Sequence, residues 1–240
     1  TNDCKIESKL AFADGTPFEP YRHRPSFGQE TRPQSDTPLR IKGKADRDSL
    51  SNTTNTTKLP ILAYYSTQRL NVEKSKSKKL EAAVENGSRM TGYFNSLGES
   101  SNYELTIRLI SSGLITETQL TPEQNAIVNY PVISIATRCI NEILPKTEKL
   151  YFEPKFNDIV VFQNNGEPLP VRLLSDGYRN LVKLLLDLSC RAAYLNPQMG
   201  ENANEAPGLV LIDEIDLHLH PGLQRRAIPL LQELFPNIQF

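Results

Sequence analysis

Two carboxylates, Asp213 and Glu214, follow directly on the apolar run Leu209-Val-Leu-Ile212. A short unbroken apolar run reads as a strand buried on both faces, as in a parallel sheet covered by helices. Two negative charges at the end of such a strand cost free energy unless something compensates them. In nucleotide hydrolases the compensation is Mg²⁺ and the attacking water. The first carboxylate holds the metal and the second polarises the nucleophile. A strand that ends in a solvated acidic turn would carry the same residues with no chemistry, and the pair alone does not separate the two readings. Just beyond, Asp216, His218 and His220 alternate, and ligands so spaced suit Zn²⁺ or another metal. A metal-dependent hydrolase is therefore a second enzymatic reading. It is short of ligands, because the remaining histidine, His23, falls in a polar stretch.

A second stretch, Leu173-Leu-Ser-Asp-Gly-Tyr-Arg-Asn180, lies upstream and opens a strongly apolar helix. Ser175 and Asp176 are good N-cap types, and Leu181, Leu184, Leu185, Leu188 and Ala192 make a buried stripe at helical spacing. Free backbone N–H groups and the helix dipole at such an N-terminus attract an anion. Gly177 lets the backbone approach closely. Arg179 either adds a positive charge there or serves a structural pair.

Taken together, these stretches resemble the ATPases of the ABC/SMC/RecF/OLD group, in which a Ser-Gly-containing signature opens a helix and a Walker B strand follows. More narrowly, Leu174-Ser-Asp-Gly-Tyr-Arg179, Leu195-Asn-Pro197 and Leu211-Ile-Asp-Glu-Ile-Asp-Leu-His-Leu-His-Pro221 are similar to the RecF-like ATPases of bacterial anti-phage systems. The Septu ATPases of the PtuA type, also found beside some retrons, are the nearest of these. Leu59-Pro-Ile-Leu-Ala-Tyr-Tyr65, Arg69 and Gly92-Tyr-Phe-Asn95 fit the same pattern. The resemblance covers residues 59–240 and is densest after residue 170.

The resemblance implies an α/β, ABC/RecF-like P-loop NTPase fold: a mixed, largely parallel sheet with flanking helices and a helical lobe. Residues 1–66 would be part of the ATPase head, 67–150 the lobe, and 151–240 the head with signature and Walker B. Asp213 would position Mg²⁺ and Glu214 would act as general base. Ser175, Asp176, Gly177 and Arg179 would face the ATP γ-phosphate bound by the opposite subunit. Gln68, after the strand at 59–65, would touch nucleotide or metal. Asp216, His218 and His220 would lie near the interface of a head-to-tail homodimer or higher homo-oligomer. The implied setting is bacterial defence, with the ATPase controlling a separate nuclease such as an HNH protein. An inactive scaffold that uses the fold only for association stands beside this reading, since fold does not fix function.

A chain of 240 residues is long enough for one large or two small domains with a real core. Apolar content of 38% and a mean hydropathy of −0.42 suggest a globular part plus polar segments. No apolar run approaches the ~18 residues of a membrane helix. The three cysteines, Cys4, Cys139 and Cys190, are far apart, which suits a reduced, cytosolic compartment. Residues 1–90 carry 16 Lys/Arg against 11 Asp/Glu, a net of +5, and residues 91–240 carry 11 against 17, a net of −6. The basic half suits contact with nucleic acid, though weakly for a phosphate-tracking surface.

Along the chain, Cys4 to Phe12 alternates as a half-buried strand ended by the turn Asp14-Gly15. Residues 16–58 lack an apolar period and read as a long loop or disordered insertion. Lys74, Lys76, Lys78 and Lys79 form a basic cluster, read first as a solvated helix entrance. Thr121-Pro-Glu-Gln124 reads as a capping box that starts a helix, with Pro131 expected to kink or split it. Cys139 on its stripe reads as a packed core thiol. Asn164-Asn-Gly166 between apolar runs signals a hairpin. After Pro221 another helix is expected, bent at Pro229, and Asn237-Ile-Gln-Phe240 looks like the start of a strand.

The phosphate cradle of such hydrolases has the pattern G-x-x-x-x-G-K-S/T. The one Gly-Lys pair here, Gly43-Lys44, is followed by Ala45, and Pro38 sits where the first glycine belongs. The switch histidine that the family carries just after the strand beginning at Ile238 is not seen either. The sequence is therefore expected to be a piece of a longer protein, weak in ATP binding by itself.

Overall fold

The structure is a computed structural model. It describes residues 57–67, 89–98, 103, 106–108, 110–111, 130–163 and 166–240, and the strand backbone at 4–7, 10–11, 17–18, 21–24 and 32–34. The chain divides into two compact units, residues 1–57 and 58–240. In the first, β1 (Cys4–Glu7) pairs antiparallel with β4 (Tyr21–Arg24), and β4 with β5 (Arg32–Gln34). β2 (Leu10–Ala11) pairs with β3 (Pro17–Phe18). The single strand expected over 4–12 thus divides between two sheets. The segment 16–58, expected to be loop, contributes three strands. Ladder hydrogen bonds come from the backbone and need no apolar period, so composition alone did not reveal them.

The second unit is built on a parallel sheet. β10 (Gly208–Ile212) lies between β6 (Ile61–Tyr65) and β11 (Ile238–Gln239), parallel to both. Gly208 has no Cβ for a physical reason: one would stand 2.4 Å from the Ile61 carbonyl oxygen. The strands are covered on one face only among the described residues. Ile61, Ala63, Tyr65 and Val210 are buried, whereas Leu209 and Leu211 are 43% and 54% exposed. This corrects the expectation that the Leu209–Ile212 run is buried on both faces. An apolar run reports the capacity for burial, not the presence of a covering layer.

Helix α2 (Asp176–Leu195) packs against β6 and is the spine of the unit. The Leu181, Leu184, Leu185, Leu188 and Ala192 stripe is buried as expected, and so are Val182, Leu186, Ser189 and Cys190 on its other sides. A helix buried nearly all round needs neighbours on every side. They are α1 (Tyr130–Asn141) and the 3-10 segments Arg89–Tyr93 and Pro197–Glu205. Pro131 lies in the first turn of α1, where its missing N–H costs nothing, and the residues just before Tyr130 fall outside the described residues. The capping box at 121–124 falls outside the described residues. Cys139 is fully buried, and burial pushes its thiol up to about 11, so it is packed core rather than nucleophile.

A smaller antiparallel sheet, β7 (Thr147–Glu153), β8 (Asp158–Gln163) and β9 (Leu169–Pro170), leads into α2. Its β8–β9 pairing is the hairpin signalled by Asn-Gly, although Asn164 and Asn165 themselves fall outside the described residues. α3 (Pro221–Leu234) runs through Pro229, which is exposed, and buries Ala227, Leu230, Leu231 and Leu234.

Two polar features in this core were not anticipated. Asn196 caps the end of α2 and is fully buried. Its side chain accepts from Leu59 N–H at 2.7 Å and donates to Leu59 C=O at 3.0 Å, as a neighbouring strand would. Within α2, Arg191 pairs with Asp187 at 2.8 Å, both buried. The Tyr65 hydroxyl donates to the same carboxylate at 2.5 Å, and Arg191 donates to the Gly92 carbonyl at 2.6 Å. Burial raises the Tyr65 pKa well above its ordinary value, and the Asp187 charge raises it further. Burial alone would lower the Arg191 pKa, but Asp187 and Tyr65 outweigh it and hold the guanidinium charged.

Breaking one partner of a buried pair is strongly destabilising. Arg191→Met should lower unfolding stability by roughly 3–5 kcal/mol, and an Asp187→Leu/Arg191→Met double replacement by less. Urea titration of the full-length protein followed by far-UV circular dichroism checks the order.

Candidate functional site

The β6–β10 register sets Ile212 beside Tyr65, so the two strands end together. In open parallel sheets the crevice beyond these carboxyl ends is where ligands bind. Asp213 is the first residue past β10. Its N–H donates to the Tyr65 carbonyl at 2.8 Å, and its Oδ2 accepts the Tyr64 hydroxyl at 2.7 Å. Glu214 follows with a left-handed backbone, φ 44°. The chain then folds into hydrogen-bonded turns, Leu217 N–H to Glu214 C=O at 2.9 Å and Leu219 N–H to Asp216 C=O at 3.0 Å. His218 is left-handed as well, φ 63°. Left-handed non-glycine residues cost about 1–2 kcal/mol each. The turn bonds and the buried Leu219 side chain hold them.

The helix expected to face phosphate starts as predicted: Ser175 is the N-cap of α2, and Arg179 N–H donates to its carbonyl at 2.8 Å. Its hydroxyl makes no capping bond. The Arg179 guanidinium is engaged locally, with the Asp176 carboxylate and with the Arg172 carbonyl at 3.2 Å. Of the two readings open for Arg179, the structural pair is present. Gly177 does permit a close approach, and the approaching group is the chain itself. A Cβ there would stand 2.6 Å from the His218 carbonyl oxygen and 3.3 Å from Leu219 Cα. The start of α2 and the turn after Asp213-Glu214 therefore pack against each other.

The alternating Asp216, His218 and His220 do not gather as a metal site. His220 Nδ1 accepts the Gly222 N–H at 3.3 Å as the N-cap of α3, and the Asp216 carbonyl accepts from the Gln224 amide at 3.3 Å. Among the described residues no three His, Cys, Asp or Glu side chains are placed to share a metal ion. Alternation puts ligands on one face only in an extended strand, and here the chain turns. Gln68 and the lysine cluster at 74–79 lie outside the described residues. Asp213 and Glu214 offer hard carboxylate oxygens at a strand end, a donor set that suits Mg²⁺.

Sequence reasoning missed Tyr64. The available signal was a tyrosine pair at the end of a strand parallel to the one that carries the carboxylates.

A parallel sheet flanked by helices, with two carboxylates beyond its central strand and a helix N-terminus against the same turn, defines a P-loop NTPase-like domain of the AAA type. The chain belongs to the family described as "AAA domain, putative AbiEii toxin, Type IV TA system", which matches residues 8–240. It is 35% identical over 146 residues to "Retron Ec83 probable ATPase" of Escherichia coli, covering 60% of this chain and 27% of that protein. It is 45% identical over 83 residues to "Retron Vc95 probable ATPase" of Vibrio cholerae serotype O1 biovar El Tor, covering 35% and 16%. It is 34% identical over 83 residues to "Septu protein PtuA" of Bacillus thuringiensis, covering 34% and 21%. The matches span about a quarter or less of each relative's length. No described helix is long and apolar enough to cross a membrane.

Gly177→Ala should force the His218 carbonyl away and cost about 1–3 kcal/mol, as overpacking does. Hydrogen exchange of amides 216–220 should accelerate more than that of α3, which mass spectrometry of the full-length protein reads directly.

Proposed function

We propose that this domain binds and hydrolyses ATP as one head of a head-to-tail pair of identical subunits. One observation carries the reading. Asp213 and Glu214 stand at the carboxyl end of the central strand, on the same turn that packs against the N-terminus of the signature helix. Each subunit then offers a complementary half. Asp213 and Glu214 serve the nucleotide held by their own subunit, and Ser175 with Gly177 serves the nucleotide of the partner.

Asp213 would hold the cation with its carboxylate, and its backbone is fixed through its own N–H on the Tyr65 carbonyl. Mg²⁺, when bound, would screen the phosphate charge and the developing charge on the leaving oxygen. Glu214 accepts a proton from the attacking water at a carboxylate oxygen. Its backbone is left-handed, so it no longer continues the strand geometry of β10. Backbone N–H groups at the start of α2 and the Ser175 hydroxyl stabilise the terminal phosphate of the partner's nucleotide. Arg179 acts indirectly, since its guanidinium secures Asp176 and the carbonyls leading into Ser175. Asp216, His218 and His220, on the turn beside Gly177, lie at the interface of the pair.

The relatives named as a retron ATPase and a Septu protein support an anti-phage setting. Control of a separate nuclease of the HNH type is part of the same proposal. The catalytic assignment is tested on the full-length protein. Glu214→Gln should retain ATP binding and lower kcat by at least about 100-fold, the lower range for losing a general base. Unchanged hydrolysis would remove Glu214 from that role. Absence of any nucleotide dependence in the wild type would favour an inactive scaffold.

A further inference from the structure

We infer that Tyr64 is a positioning residue that fixes the Asp213 carboxylate for the divalent cation. The inference rests on the proposed role of Asp213 and adds a residue to it. The Tyr64 hydroxyl donates to Asp213 Oδ2 at 2.7 Å, across 149 residues of sequence. Both ends of that bond are anchored. The Tyr64 N–H donates to the Ser96 carbonyl at 2.7 Å, and the next residue, Tyr65, receives the Asp213 N–H on its carbonyl. The phenol of Tyr65 points the other way, into the buried Asp187–Arg191 pair. Consecutive residues of a strand project to opposite faces, so one tyrosine grips the core while the other reaches the carboxylate.

The site needs such a restraint. Asp213 leaves the strand into a turn whose next residue, Glu214, has left-handed backbone. The Tyr64 hydroxyl gives that carboxylate a fixed partner, so a cation meets it already oriented. A phenol on a rigid strand orients the carboxylate beforehand at little entropic cost. Hydrogen bonds to metal-ligating groups typically change metal affinity 10–100-fold. A merely structural tyrosine would behave differently. The bond is exposed, and an exposed neutral donor to a solvated carboxylate contributes little to folding.

The test uses the full-length protein in its wild-type, Tyr64→Phe and Asp213→Asn forms. Mn²⁺ stands in for Mg²⁺ and is titrated by electron paramagnetic resonance in the presence of ADP. Tyr64→Phe removes one oxygen and keeps the ring. It should weaken Mn²⁺ binding about 10-fold, with an unchanged thermal midpoint. The Mg²⁺ concentration for half-maximal hydrolysis should rise in parallel, and kcat at saturating Mg²⁺ should be retained. Wild-type Mn²⁺ affinity in Tyr64→Phe, with affinity lost in Asp213→Asn, overturns the assignment of Tyr64 alone. Wild-type affinity in Asp213→Asn overturns the metal role of Asp213, and the inference about Tyr64 goes with it.

Discussion

The parallel register of β6 against β10 is the constraint on which the candidate site depends. Because Tyr65 lies beside Ile212, the chain leaves both strands at one edge, and Asp213 emerges bonded to the Tyr65 carbonyl and the Tyr64 hydroxyl. A slip of one residue would turn every side chain of the moved strand to the other face. Tyr65 would leave its buried carboxylate, and the Tyr64 hydroxyl would leave Asp213. Gly208 fixes that register at the other end, since its missing Cβ lets β6 lie close at Ile61.

α2 carries the register into the rest of the unit. One end of this helix meets the turn after Glu214 through Gly177, and the other ends at Asn196, whose amide closes on the backbone of Leu59 at the approach to β6. Between them the Asp187–Arg191 pair binds Tyr65 on one side and the Gly92 carbonyl on the other. A buried pair is weak evidence for net stability, because its desolvation offsets much of the attraction. Its effect here is specificity of arrangement. The helix, the strand and the 89–98 segment are thereby tied to one another through Asp187, Arg191, Tyr65 and the Gly92 carbonyl.

The carboxylate pair, the signature-like helix start and the hairpin before it were readable from residue types and spacing. Ser175 is the N-cap of α2, β10 precedes Asp213, and β11 begins at Ile238. These features are local: an apolar run, a capping residue and an Asn-Gly turn each act within a few positions. The strands at 17–18, 21–24 and 32–34 were missed because they depend on backbone pairing with β1, β2 and each other, partners that composition does not name. Asp216, His218 and His220 looked like ligands because they alternate just beyond a strand, but the chain turns after Glu214, where alternate residues share no common face.

Sequence by itself determined the family, the order of the elements from β8 onward and the chemistry available at Asp213 and Glu214, since these follow from side-chain type and short-range pattern. Tertiary structure alone decided three pairings. Arg179 turns to Asp176 and nearby carbonyls, Gly177 lies against the His218 carbonyl, and Tyr64 reaches Asp213. The first is an i,i+3 pair along α2 that a free Arg179 side chain could equally have left for an anion, and the structure shows it made. The other two join segments that approach only once the sheet and α2 have formed, so no local rule encodes them.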